Sequence, residues 1–143
     1  MDVIYYDKEV IESLLGTAVS FPDVLSGADV LVLACSYQRG ASPVIDCSAI
    51  NRMKQGSYLI NPARRALADH DSVLQAVMSR KLAGYAVDDS VFTKAQLAGV
   101  ERGRIFQTHH TAWYSNEAME RGTQGWVDNL VALAKNKFPN RIV

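Results

Sequence analysis

Three kinds of side chain capable of chemistry recur at one kind of place in this sequence, directly after an apolar run. Arg64 and Arg65 follow "SYLIN" at a short remove, Asp88 and Asp89 follow "LAGYAV", Asp7 follows "VIYY", and His109 and His110 follow "RIFQT". A guanidinium presents a planar fork of donors suited to a carboxylate or a phosphate. An imidazole titrates near neutrality and can give or take a proton. Each group also has a plain structural reading. Arg64 can be an ordinary surface residue, Arg65 a surface or ion-paired one, and Asp7 a polar strand terminus. Asp88 and Asp89 can cap the next turn or pair with nearby arginines, and His110 can serve packing alone. His70 and His109 read as structural or exposed. Two adjacent histidines with no third ligand at metal spacing make a poor metal site. Trp113, Tyr114 and Trp126 read as core or interface.

Five short apolar runs, at 3–6, 29–35, 57–61, 82–87 and 104–108, would position these groups. They are nearly continuous instead of alternating, which suits strands buried on both faces of a parallel sheet. Helical spacing lies between them. "KEVIESLLG" ends in a glycine stop, "DVLSGAD" opens with Asp after Pro22, and "SAINRMKQG" offers Ser48 as a cap and Gly56 as terminator. "DHDSVLQAVMSRKLAG" sets Val73, Leu74, Val77 and Met78 on one face. The longest helical segment is "SNEAMERGTQGWVDNLVALAKNK", whose apolar face carries Trp126, Leu130 and Leu133. The pattern predicts an α/β fold, a mostly parallel sheet of about five strands with flanking helices and a long C-terminal helix. Two irregular stretches, "ACSYQRGASPVID" and "DDSVFTKAQLAGVERG", follow strand carboxyl ends, the edge where open α/β sheets bind ligands. Cys35 lies at the start of the first.

The totals narrow the class. At 143 residues the chain is expected to form one domain over 1–143. Its 15 basic and 15 acidic residues cancel, so no global field points to nucleic acid or an anionic membrane. No apolar run approaches the roughly 20 residues of a membrane span. The acidic start "MDVIYYDKEV" lacks the basic opening of a signal peptide. Two cysteines, Cys35 and Cys47, read as reduced thiols in a cytoplasmic protein.

At "GADVLVLAC", "MKQGSYLINPAR", "LAGYAVDD" and "QTHHTAW" the sequence resembles the D-isomer-specific 2-hydroxyacid dehydrogenases, in register from Val3 almost to the tail "FPNRIV". The resemblance implies a Rossmann-like NAD-binding domain and a cofactor that takes up hydride from a 2-hydroxy acid. It makes Arg64 the clamp of the substrate carboxylate and His110 the proton donor and acceptor for the substrate oxygen. It sets Asp7 on the adenosine ribose, with a charge favouring NAD over NADP, Asp88 near the nicotinamide amide, and Cys35 where the chain passes the adenine side.

The sequence also departs from the family pattern. Arg65 replaces the glycine after the arginine, and His109 replaces the proline before the histidine. The position of the family's catalytic Glu falls near Thr93, with Glu101 a distant substitute. No G-x-G-x-x-G occurs in the 143 residues, so the family's opening strand and Gly-rich turn are expected to be missing. Without them, the runs at 3–6 and 57–61 are expected to lose a shared neighbour. The gap would be closed directly, by another copy, or by a separate chain.

The functional expectation is a truncated member of the family that binds NAD weakly or not at all and is not catalytic as an isolated chain. One alternative is a functional half completed by a partner chain carrying the Gly-rich loop. The other is a non-enzymatic module that binds nucleotide or small acids or serves assembly. The expected partners are a second copy of the chain and a small 2-oxo or 2-hydroxy acid.

Overall fold

Apolar strand residues separated by capped helices build a parallel sheet with its helices on one side. The structure is a computed structural model that describes residues 1–9 and 16–137. It divides into two compact units, Met1–His110 and Thr111–Val143. In the first unit, strands β1 (Ile4–Tyr5) and β2 (Thr17–Ala18) pair in parallel as a small sheet of their own. Helix α1 (Phe21–Gly27) follows, then β3 (Val30–Val32), α2 (Cys47–Arg52), β4 (Ser57–Asn61), α3 (His70–Met78), β5 (Leu82–Val87), α4 (Lys94–Leu97) and β6 (Ile105–Gln107). Strands β3 to β6 form an all-parallel sheet in simple sequence order.

Local chemistry sets the helix starts. Ser20 caps α1, with Pro22 in its first turn. Asp69 caps α3, its carboxylate accepting from the backbone amides of Asp71 and Ser72 and from the Ser72 hydroxyl. The Ser72 hydroxyl holds the Asp69 pKa below the ordinary aspartate value, with the two amides adding to the effect. Val73, Leu74, Ala76 and Val77 on α3 then face one core with Leu25, Ile45, Ile50, Leu59 and Leu82.

Register places Leu31, Leu59, Tyr85 and Ile105 in one row across β3 to β6, on the face that joins this core. The opposite face carries Val30 beside Tyr58, and Val32 in line with Ile60, Ala86 and Phe106. Val30, Val32 and Tyr58 are about half exposed and Phe106 more so. The expectation of strands buried on both faces therefore holds for one face only. Apolar residues point both ways, but α1, α2 and α3 pack into the core on a single side.

Several expectations change in detail. Strand β2 is too short to announce itself in the sequence, and overlooking it misplaced the open edge. The run at 57–61 is interior, bonded to β3 on one side and β5 on the other, and it is β3 that ends the larger sheet. No pairing joins β1 to β3 among the described residues. Asp46, not Ser48, caps α2, because its carboxylate reaches the Ala49 amide at 2.8 Å. That helix closes at Met53, and Gly56 instead turns the chain into β4 with a φ of +76°. Met78 is exposed, unlike its neighbours on α3. The stretch after Asp89 holds the short helix α4, capped by a reciprocal Thr93–Gln96 box. The helix expected within "KEVIESLLG" and the tail "FPNRIV" fall largely or wholly outside the described residues.

The second unit contains α5 (Asn116–Ala134), capped by Ser115. The long C-terminal helix is as expected. Trp113, Tyr114 and Trp126, read as core or interface, are all exposed.

Candidate functional site

A parallel sheet brings all its carboxyl ends to one edge, and Cys35, Arg64, Asp88 and His110 follow the carboxyl ends of β3, β4, β5 and β6. Cys35 and Arg64 share a cleft of about 350 Å³ at the ends of β3 and β4, lined also by Ala34, Ser36, Tyr37 and Ala63. Arg64 has extended backbone, and its Nη1 donates to the Ala63 carbonyl at 2.7 Å. Its turn is held by Asn61, which is 1% exposed. Asn61 Nδ2 donates to the Arg64 carbonyl at 2.9 Å, Asn61 Oδ1 accepts from the Ala63 amide at 3.2 Å, and the Asn61 carbonyl accepts from the Asp88 amide at 3.1 Å. The buried Asn61 side chain thus fixes the arginine turn, and its main-chain carbonyl ties the turn to the end of β5. The signal was present in the sequence as a polar residue closing an apolar strand, but Asn61 was not singled out.

Asp88 sits one residue beyond β5, where its Oδ1 accepts from the Thr108 hydroxyl at the end of β6. Gln107 braces the same corner, its Oε1 accepting from the Val91 and Phe92 amides and its Nε2 donating to the Phe92 carbonyl. This brace was also missed, because a Gln inside a strand carries no local signature. His110 is exposed three residues past β6, with a φ of +60°. That left-handed backbone is unusual for a side-chain-bearing residue, though His tolerates it better than most.

Arg64 and His110 therefore lie beyond β4 and β6, with β5 and Asp88 between them in strand order. Asp7 lies two residues past β1, in the smaller sheet, and its Oδ1 accepts from the Glu9 amide at 2.8 Å. It is not among the residues lining the cleft. Thr93 is occupied as the cap of α4. Glu101 pairs with Arg80 at 3.3 Å and Arg104 at 3.4 Å, at the amino end of β6 and so at the opposite end of that strand from His110.

Beneath this edge, His70 packs against Tyr85 and Phe92, with ring centroids 6.1 and 5.7 Å away. Burial lowers the His70 pKa below the ordinary histidine value, with the charge of Arg65 acting the same way. Burial pushes the Tyr85 phenol up to about 12. His70 is thus a neutral, half-buried packing residue. Among the described residues no cluster of His, Cys, Asp or Glu could hold a metal ion, and no helix is long and apolar enough to cross a membrane.

The NAD-binding domain of the D-isomer-specific 2-hydroxyacid dehydrogenases matches residues 1–112, well over half of the chain. The chain belongs to this family. A D-lactate dehydrogenase of Treponema pallidum is 30% identical over 123 residues, which cover 73% of this chain and 36% of that protein. A putative 2-hydroxyacid dehydrogenase of Haemophilus influenzae is 30% identical over 105 residues, covering 69% and 33%. The crystal structure of the Treponema enzyme superposes with a TM-score of 0.85 at 26% identity, over 99% of this chain and 48% of that one. The NAD-complexed 2-hydroxyacid dehydrogenase of Lactobacillus delbrueckii, at 23% identity and a TM-score of 0.84, shares the fold over 99% of this chain and 48% of its own. The chain spans about a third of these relatives' sequences and about half of the solved chains. The parallel α/β architecture is that of their Rossmann-like domain.

Proposed function

We propose that this chain forms the cofactor side of an NAD-dependent 2-hydroxy-acid oxidoreductase, and that the 143 residues by themselves bind NAD weakly and do not turn substrate over. The observation that carries the first half is the placement of Arg64 in a cleft at the carboxyl edge, on a turn fixed by buried Asn61. In this reading Arg64 holds the substrate carboxylate through paired donors. His110 takes the hydroxyl proton as the hydride leaves the adjacent carbon, and returns it in the reverse direction. Asp88, oriented by Thr108, faces the nicotinamide amide, Asp7 reads the ribose, and Cys35 borders the adenine. When bound, NAD supplies the hydride acceptor that no side chain can.

Two observations support the second half. The sequence holds no Gly-rich turn to bring backbone amides against a pyrophosphate. Thr93, at the position of the family's Glu, is a hydroxyl committed to a helix cap, so that position offers no carboxylate. The edge of β3, unpaired among the described residues, favours a second reading in which a separate segment, a strand followed by a Gly-rich turn and a helix, completes the site. Cytoplasmic residence belongs to the same proposal, since Cys35 and Cys47 are both free and exposed.

Calorimetric titration with NADH, followed by assay with small 2-oxo acids, tests this. The expected result is a Kd weaker than about 1 mM and no turnover. Turnover by the isolated chain that disappears in Arg64→Ala would keep the site and overturn the inactivity. Turnover restored only by the added segment, and lost again in Arg64→Ala, would establish the second reading. Restored turnover unchanged by Arg64→Ala would remove Arg64 from the site.

A further inference from the structure

We propose that His70 is a positioning residue for Arg64: its neutral imidazole backs the turn that carries the arginine, and a proton taken up on the ring from solvent releases that turn. The inference rests on the reading of Arg64 as the substrate clamp. The chain between the two residues is tightly bonded. The Arg64 carbonyl accepts from the Leu67 amide at 3.1 Å, and the Arg65 carbonyl from the Ala68 amide at 3.3 Å. Leu67 and Ala68 are buried, and His70 opens α3 directly after the Asp69 cap. On the sheet side, Leu59 pairs with Tyr85, so Asn61, two residues on, shares the face that carries the Tyr85 ring. The His70 ring lies against Tyr85 on that face and meets Phe92 edge-on. The imidazole therefore sits between the first turn of α3 and the sheet face that holds Asn61.

This packing suits a neutral ring and opposes a charged one. Both ring nitrogens are shut from solvent and neither makes a hydrogen bond, so an imidazolium would bury two charged donors unsatisfied. A cation in the first turn of α3 also faces the positive end of the helix dipole. The charged and titratable groups around the ring are Arg65 from the turn, Asp69 at the cap, Tyr85 on β5 and Asp89 beyond it. Burial and the Arg65 guanidinium disfavour the proton, and they outweigh the Arg65 carbonyl and the two carboxylates, which favour it. The Tyr85 phenol, pushed up to about 12, stays neutral throughout. Once turned out to solvent, the ring takes its proton at the ordinary value of 6.5. Opening is thus coupled to proton uptake. The turn is held above pH 6.5, and each unit below favours release by up to about tenfold until the folded value is reached. Departure of the ring uncovers Tyr85 beside Asn61 and removes the packing that presses the arginine turn to the sheet.

Nuclear magnetic resonance of the full chain tests this without substrate, so its failure would leave the reading of Arg64 as the clamp standing. Amide exchange, corrected for its intrinsic pH dependence, is followed from about pH 7.5 to 5 beside the titration of the His70 ring. Protection of the Ala63 and Leu67 amides should fall by about tenfold or more between pH 6.5 and the midpoint of the ring, and level off below it. The Tyr58 amide, bonded to the Asp29 carbonyl at the far end of β4, should keep its protection. His70→Phe, which cannot take the proton, should hold the turn across the whole range. Arg65→Gln, at an exposed position, should raise the ring's midpoint and make the fall smaller. Protection at Ala63 that does not change with pH, or an equal fall at Tyr58, would overturn the proposal, the second because His70 would then report global stability alone. A fall that persists in His70→Phe would overturn it too. Should His70→Phe not fold, an undiminished fall in Arg65→Gln decides against it in the same way.

Discussion

Replacing Asn61 by alanine tests whether one buried amide holds the arginine turn. The side chain makes two hydrogen bonds across residues 61–64, donating to the Arg64 carbonyl at 2.9 Å and accepting from the Ala63 amide at 3.2 Å. Each contributes about 1 kcal/mol net. Truncation at a site 1% exposed leaves a small void worth about another 1 kcal/mol. The expected loss is about 3 kcal/mol in the first unit, or roughly 1–2 M in the urea midpoint. Amide hydrogen exchange reads the mechanism directly. The Ala63 amide, bonded only through the Asn61 side chain, should lose protection, whereas the Asp88 amide, bonded to the Asn61 main-chain carbonyl, should largely keep it. Asn61→Asp retains an acceptor for Ala63 but sets a carboxylate against the Arg64 carbonyl, so protection at Ala63 should return without the stability. An Ala63 amide equally protected in wild type and Asn61→Ala would refute the reasoning, whatever the midpoint does.

Three further outcomes follow from the same geometry. Gly84→Ala should destabilise the first unit by about 1–3 kcal/mol in urea melts, because a Cβ there would lie 3.0 Å from the Arg104 carbonyl and 3.2 Å from the Tyr58 ring. His70 has its pKa lowered from 6.5 by burial, so the unfolded chain binds the proton first as pH falls. Its contribution is complete above pH 6.5 and declines as pH falls through the folded value. Urea midpoints measured on both sides of that window should differ in wild type, and the difference should shrink in His70→Phe; an unchanged difference would assign the pH dependence elsewhere. Asp7→Ala should weaken NADH binding more than NADPH binding in a calorimetric titration, and equal losses would show that Asp7 does not read the ribose.

Much of this protein was legible along the chain because the relevant physics is local. Continuous apolar runs marked β3 to β6, the spacing of Val73, Leu74 and Val77 marked α3, and the ordered motifs from "GADVLVLAC" to "QTHHTAW" carried the family. Arg64, Asp88 and His110 could be picked out because each follows a strand, and a parallel sheet sends every such residue to one edge. The tertiary structure decided matters that depend on which groups meet across it. Strand β2 has two residues and exists only through its pairing with β1, so no local pattern could reveal that β3 ends the larger sheet. Asn61 and Gln107 matter through partners that only the folded turns bring within reach. Whether Val32, Tyr58 and Phe106 were core or surface depended on where the helices packed, because an apolar side chain specifies burial but not what supplies it.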